Sequence, residues 1–336
     1  MILVTGGCGY IGSHFLLRLL LKERDVLCLD NLSNSSESNL VNIRELSSKT
    51  FTFIKGNVGE EPLLLDIFKS YKISSVVHFA GFKSVSESVH NPLKYFQNNV
   101  IETISLLKAM KAADVKKIIF SSSATVYGEN HPLPWHEELK LEYPLNPYAQ
   151  SKFFIELILK TLSSKKNNSW SIGILRYFNP IGYHPSGKIA EDINNNNTNL
   201  IPAIVDVILN KKKKLNIYGG DYNTPDGTGI RDYIHVEDLI SGHEKALEYI
   251  LNTNGYNIWN LGSGHGFSVL EIVRELERAF KKKIPYKIVN RREGDLGSYW
   301  ADISKAKTEL GWNTKFKLID MAKDIANQVK YKNNGK

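Results

Sequence analysis

The segment Gly6-Gly7-Cys8-Gly9-Tyr10-Ile11-Gly12 constrains this chain more than any other, because it stands between an apolar run at 2–5 and an amphipathic stretch at 11–22. Glycines at positions 6, 9 and 12 allow a tight turn, a close backbone approach to a ligand and close helix–strand packing. The spacing predicts a strand, a turn and a helix whose first amides face a pyrophosphate, with Tyr10 and Ile11 opening that helix. A chain that starts this way is committed to β-α-β units and a parallel sheet.

The rest of the first half agrees. Short, nearly continuous apolar runs at 26–29, 51–54, 76–79, 117–121 and 172–175 read as strands covered on both faces. Helical patterns at 62–71, 92–112 and 148–162 separate them, so the expected fold class is α/β, a Rossmann-type doubly wound parallel sheet. After residue 179 the texture changes. A long loop at 182–199 contains an asparagine run at 194–197, and helices are expected at 200–211, 236–251, 269–282 and 318–330, with short strands at 216–218 and 257–261. This predicts a nucleotide-binding domain over 1–179, with a return segment near 230–262, and a smaller mixed α/β substrate-binding domain over 180–336.

Asp30 closes the second apolar run, at about the 20-residue spacing expected for a carboxylate that accepts from a ribose. It would repel a 2′-phosphate, so NAD is favoured over NADP, with Asn31 in the adjoining turn.

Charge and cysteines narrow the remaining classes. The chain of 336 residues carries a net charge of +8, 42% hydrophobic and 23% charged residues, an ordinary globular balance. Its sharpest basic cluster, Lys211 to Lys214, is expected in the last turn of a helix, where it complements the dipole. No aromatics interleave with it, so no nucleic-acid partner is expected. No apolar run reaches the roughly 20 residues of a membrane span, and Met1–Thr5 leads straight into the glycine turn, leaving no room for a leader peptide. Two cysteines, Cys8 and Cys28, build neither a disulfide framework nor a zinc site, so no metal and a cytoplasmic location are expected.

The block Ser121-Ser122-Ser123-Ala124-Thr125-Val126-Tyr127-Gly128 is followed by Tyr148-Ala149-Gln150-Ser151-Lys152. Tyr148 and Lys152 are four apart and share a helix face. Bringing a phenol from a pKa near 10 to near 7 takes about 4 kcal/mol, which one ammonium about 4 Å away supplies at an effective dielectric of 20, and a cationic nicotinamide ring would add to it. Ser123, ending a strand, can bond the same substrate hydroxyl.

These motifs resemble the UDP-glucose 4-epimerases of the extended short-chain dehydrogenase/reductase family. So do Val77-His78-Phe79-Ala80-Gly81, Arg176-Tyr177-Phe178-Asn179-Pro180, Arg231-Asp232-Tyr233-Ile234-His235-Val236 and Arg291-Arg292-Glu293-Gly294-Asp295-Leu296. The resemblance runs from Leu3 to about Trp312. It implies interconversion of UDP-galactose and UDP-glucose through a 4-keto sugar, with tightly bound NAD. Tyr148 would be the acid–base, Ser123 would aid proton transfer, and Lys152 would hold the nicotinamide ribose. Asp30, Asn31, Asn57, Val58, Phe79, Ala80, Gly81, Lys83, Asn98 and Ser121 would line the NAD site, with Tyr177 and Phe178 near the nicotinamide. Asn179, Asn199, Leu200, Asn216, Tyr218, Arg231, Arg292 and Asp295 would meet the UDP-sugar; Arg231 and Arg292 can clamp a diphosphate, and Tyr218 offers a ring to the uracil. Tyr299 would restrict the pocket against N-acetylated sugars. A homodimer is implied, through the helices at 92–112 and 152–162.

Two positions depart from the family's pattern: Asn57 replaces an aspartate that accepts from the adenine amine, and Glu102 replaces a small residue, where it either disturbs packing or faces solvent. Rival activities are less well served. A nucleotide-sugar 4,6-dehydratase of this superfamily needs carboxylates where Ala124 and Thr125 stand, and a UDP-hexuronate 4-epimerase would need a cation for the sugar carboxylate. A non-catalytic NAD-sensing or RNA-binding relative would not be expected to keep Ser123, Tyr148 and Lys152 together.

Overall fold

The structure, a computed structural model, describes residues 1–129, 131–164, 169–189, 199–292 and 295–334, with side chains to 331. The asparagine run at 194–197 lies outside the described residues, as do Glu293 and Gly294 of the arginine motif.

The first half alternates strictly: β1 (Ile2–Thr5), α1 (Tyr10–Leu21), β2 (Val26–Asp30), α2 (Ser38–Ser47), β3 (Thr52–Lys55), α3 (Glu61–Ser70) and β4 (Ser75–His78). Then follow α4 (Val85–His90), α5 (Pro92–Tyr95), a π-helical turn (Phe96–Ile101), α6 (Glu102–Ala112), β5 (Lys117–Ser123), α7 (Pro147–Ser163) and β6 (Ser171–Tyr177). The second half holds β7 (Asn179–Ile181), α8 (Leu200–Ile208), β8 (Leu215–Tyr218), β9 (Ile230–His235), α9 (Val236–Asn252), β10 (Gly255–Leu261), β11 (Gly266–Ser268) and α10 (Val269–Phe280). It closes with β12 (Tyr286–Val289), β13 (Ser298–Tyr299), α11 (Ser304–Leu310) and α12 (Leu318–Asn334).

Among the described residues one parallel sheet has seven strands in the order β3-β2-β1-β4-β5-β6-β10. The order reverses beside β1, which opens a crevice at the carboxyl ends of β1 and β4. Both faces are covered. Phe15, Leu16, Leu239 and Ile240 of α1 and α9 pack on one, and Leu64, Leu106, Ile155 and Leu159 of α3, α6 and α7 on the other. This double covering is why the strands are apolar throughout rather than alternating.

A second layer forms where β9 pairs with β7, β11 and β13, while β8 pairs with β12. Its own core joins Ile204, Ile217, Val273 and Ile325 from α8, β8, α10 and α12. Of residues 230–262, β10 thus belongs to the large sheet and β9 to the small one.

Two expected elements differ. The single helix expected at 92–112 is broken into α5, the π turn and α6. Each of the asparagines Asn98 and Asn99 inside that turn has its side-chain oxygen on the Phe82 N–H, so the widened turn serves a loop contact. Helix α8 stops at Ile208, so Lys211 to Lys214 do not occupy its last turn. They follow as irregular chain in which Lys212 pairs with Asp206 at 3.0 Å.

Candidate functional site

At Gly6 and Gly12 the glycine loop has no room for a side chain. Gly6 has φ +69°, and a Cβ there would sit 2.6 Å from the Ala80 nitrogen. At Gly12 it would lie 2.2 Å from the Gly6 carbonyl. Gly9 caps α1 with extended backbone and no side-chain cap, which leaves the first helical amides for a ligand. Tyr10 Oη donates to the Gly182 carbonyl at 2.5 Å and ties this helix start to the second layer. Ile11 is half-buried beside it.

Asp30 is buried at the end of β2. Its Oδ2 accepts from the Cys8 amide at 2.9 Å, and its Oδ1 from the Leu32 amide at 2.9 Å and Ser35 Oγ at 3.0 Å. Asn31 accepts from the Ser33 amide in the next turn. After β3, Val58 is buried in the core, and Asn57 Oδ1 takes the Gly59 amide at 2.6 Å. After β4, Phe79 donates its amide to Thr5 and turns its ring to His243, while Gly81 adopts φ +149° and Lys83 is exposed. A cradle that a Cβ would fill, followed by a buried carboxylate on the adjacent strand, fits a dinucleotide.

The catalytic candidates converge at the carboxyl end of β5. Helix α7 begins at Asn146-Pro147, where Asn146 Oδ1 caps the Ala149 amide at 2.9 Å. Tyr148, Lys152 and Glu156 then fall on one face. Glu156 is buried and accepts from Ser122 Oγ at 2.5 Å and from Arg176 Nε and Nη2 at 3.1 and 2.7 Å. That bridge bolts α7 to β5 and β6. Lys152 Nζ donates to the Ser121 carbonyl at 2.8 Å, 4.9 Å from the Phe120 ring centroid, and a Cβ on Gly81 would lie 3.9 Å from it. The ammonium therefore stands between the ends of β5 and β4, at the crevice.

In the chain without a dinucleotide, burial dominates the electrostatics of the pair. Burial pushes the Tyr148 phenol above its ordinary value, opposed by a hydrogen bond from Ser123. Lys152 is pushed down to about 8, again chiefly by burial. Its ammonium gives one of its three donors to a backbone carbonyl and lies 6.0 Å from the Tyr148 ring centroid. The ammonium alone does not bring the phenol down.

Tyr177 is buried, with its hydroxyl bonded to Ser121 Oγ at 2.7 Å and to His243. Phe178 packs with Trp135 and Tyr299.

The residues expected to meet a UDP-sugar gather across from this point. Tyr299 lies on β13, its hydroxyl 3.3 Å from Asn179 Oδ1 on β7. Arg231 on β9 sits 4.6 Å from the Tyr299 ring centroid, and its Nη2 is 3.3 Å from Asp295 Oδ1. Asn199 and Leu200 begin α8. Asn216 and Tyr218 face outward on β8, and a cleft of about 510 Å³ is lined by Tyr218, Val289, Asn290, Arg291 and Arg292. The Arg292 guanidinium covers the Tyr218 ring at 4.0 Å, and Arg231 already pairs with Asp295, so neither arginine is held open as a bare clamp.

Sequence reasoning missed Asn99 and Trp135. Asn99 is buried, gives Nδ2 to the Phe82 carbonyl and to Ser151 Oγ, and so joins the β4 loop to α7. A polar pair inside an apolar helical pattern was its only signal. Trp135 stacks on Tyr299 at 5.0 Å, a pairing across 164 positions that no local pattern carries.

The pattern describing the GDP-mannose 4,6 dehydratase family matches residues 3–325. The chain is 50% identical to a UDP-glucose 4-epimerase of Yersinia enterocolitica, over 99% of this chain and 98% of that protein. It is 48% identical to one from Bacillus subtilis, over 96% and 95%. Among solved structures it is similar to the UDP-glucose 4-epimerase of Bifidobacterium longum in complex with NAD+ and UDP, with TM-score 0.95, 45% identity, and 100% and 99% of the two chains covered. It is also similar to that of Stenotrophomonas maltophila with bound NAD and formylated UDP-arabinopyranose, with TM-score 0.96, 37% identity, and 100% and 99% covered. The broad family includes dehydratases, but Ala124 and Thr125, directly after Ser123, bring no carboxylate. The chain belongs to the UDP-glucose 4-epimerases, within the extended short-chain dehydrogenase/reductase family.

Proposed function

We propose that Tyr148, Ser123 and Lys152 carry the reversible interconversion of UDP-galactose and UDP-glucose, with NAD bound in the Gly6–Gly12 cradle. The observation that carries this reading is that Ser123 and the Tyr148–Lys152 face of α7 lie at the carboxyl end of β5, on the same edge of the sheet as the glycine loop. When bound, NAD supplies the acceptor and then the donor of the hydride at the sugar's C4.

Tyr148 takes the proton of the 4-hydroxyl and later returns it, with Ser123 bonded to the same oxygen. Its phenol is raised by burial, and Lys152 is the nearby basic residue that opposes this once a charge develops on the phenol. Lys152 also holds the nicotinamide ribose from its place between Ser121 and Gly81. Asp30 holds the adenosine ribose. Arg231 and Arg292 meet the diphosphate and Tyr218 the uracil, which tethers the 4-keto sugar while it presents its other face. Asn179, Asn199, Leu200, Asn216, Asp295 and Tyr299 complete the pocket, and Tyr299 limits its width.

The reading divides the chain into a cofactor domain over 1–179, with β10 returned to it, and a substrate domain over 180–336. A homodimer is part of it, supported by the exposed Leu93 and Ile101 on α5 and the π turn and the exposed Leu157 on α7 itself. A cytoplasmic setting is supported by two buried, unbridged cysteines. No helix of the described residues is long and apolar enough to cross a membrane.

Incubation with UDP-galactose alone, resolving the product nucleotide sugar while reading the nicotinamide absorbance, tests the reaction. Formation of UDP-glucose without added cofactor is expected. Conversion of UDP-galacturonate but not UDP-galactose would defeat it.

A further inference from the structure

Glu102 is the first residue of α6, directly after the π turn. Its carboxylate accepts from two side-chain amides, Asn98 Nδ2 at 3.0 Å and Asn57 Nδ2 at 3.3 Å. Each amide is oriented from its other side as well. Asn57 Oδ1 takes the Gly59 N–H at 2.6 Å, and Asn98 Oδ1 takes the Phe82 N–H at 3.2 Å. The side chain is half-buried, and burial raises its pKa against the two amides that lower it. It also closes the loop after β3 from behind, since a Cβ on Gly59 would lie 2.9 Å from Glu102 Cγ. It neither disturbs the helix nor faces solvent alone.

Each carboxylate oxygen has about two acceptor positions, so one amide proton apiece leaves capacity on both. A dinucleotide with its pyrophosphate at the glycine loop and its ribose at Asp30 runs outward past β2 toward the carboxyl end of β3. Residues 57–59 begin there. The donor that an adenine ring offers to an acceptor in that place is its 6-amino group.

Resting on the NAD reading above, we propose that Glu102 accepts from the adenine 6-amine and so selects the adenine dinucleotide. Asn57 and Asn98 turn the carboxylate and stay neutral. Glu60 already stands on the other side of the loop, its carboxylate accepting from the Asn57 N–H at 2.9 Å and raising the Glu102 pKa, so a further carboxylate at position 57 would add to that repulsion.

The test equilibrates the holoprotein with a mixture of NAD and nicotinamide hypoxanthine dinucleotide, whose ring carries a carbonyl oxygen in place of the amine. The bound nucleotides are then released and resolved. The native chain is expected to retain NAD in preference by about tenfold to a hundredfold, the range for a hydrogen bond to a charged group. Glu102→Ala, and Glu102→Gln, whose amide can present either an oxygen or an N–H, should bring the preference within about threefold. An equal preference in native and variant proteins, or variants that lose both dinucleotides in equal measure, overturns the proposal, because the carboxylate would then serve packing alone. A native chain that retains neither dinucleotide overturns the NAD reading itself, a result distinguishable from a lost preference.

Discussion

Tyr299 lies flat on Trp135, with ring centroids 5.0 Å apart and planes 8° from parallel. Arg231 approaches the Tyr299 ring within 4.6 Å of its centroid, and its hydroxyl is held by Asn179. A ring fixed by an indole, a guanidinium and an amide does not swing aside for an acetamido group. UDP-N-acetylglucosamine should therefore turn over poorly. Tyr299→Ala should raise the ratio of kcat/KM for the acetylated over the plain sugar by about tenfold or more. Comparable rates on both sugars in the native protein would refute this.

Tyr148→Phe removes one oxygen and leaves the ring. Its expected effect is a fall in turnover of about a hundredfold to ten-thousandfold, the usual range for a positioned acid–base group. Bound nicotinamide, read by absorbance, should stay at the native level. Activity that survives the substitution would move the proton transfer to another group.

The Glu156–Arg176 pair is about as buried as any in the described residues, with side chains 3% and 2% exposed. Glu156→Leu would strand a guanidinium in the core, at a cost of about 3–5 kcal/mol. The denaturant midpoint should fall accordingly, and kcat with it, since the same carboxylate holds α7 against β5. A variant with unchanged stability would show that the bridge does not anchor the helix.

Three buried histidines bear on acid stability. Burial pushes His14 and His78 down to about 3 and His243 to about 4. In the unfolded chain they titrate near 6.5, so between there and about 4 the unfolded state binds more protons. Their contribution is present above pH 6.5 and is lost as the pH falls toward the folded values. In the middle of that window the three together reach about 4 kcal/mol per pH unit. Buried carboxylates such as Asp232, pushed up by burial, act in the opposite sense, so the effect is best read as a difference. His14→Gln should remove about one proton from the slope of the denaturant midpoint against pH. An unchanged slope would show that His14 is protonated in the folded protein.

Legibility in the sequence followed the range of the interactions. The glycine loop, Asp30 and the face shared by Tyr148 and Lys152 are local features, since the turn, the strand end and the helix repeat decide them within a few residues. In the second layer α8, β8, α10 and α12 were legible, but the sheet of β7, β9, β11 and β13 was silent, because its strands are short and pair across long separations. The sign of the shift on Tyr148 was also out of reach. It depends on how much water the surroundings exclude, and spacing alone says nothing of that. The π turn escaped because nothing in the residue types of Phe96–Ile101 separates i→i+5 from i→i+4 bonding.

The chain leaves the large sheet after Tyr177, threads the second layer through β7, β8 and β9, and comes back to pair Gly255–Leu261 with Ser171–Tyr177. Protein engineers who want the nucleotide-binding half alone cannot obtain it by a stop codon. A truncation after residue 179 would strip β6 of its neighbour and bare a row of unpaired amides along an apolar edge, an invitation to aggregate. A working excision would have to splice residues 236–261, the covering helix α9 together with β10, back on through a new linker.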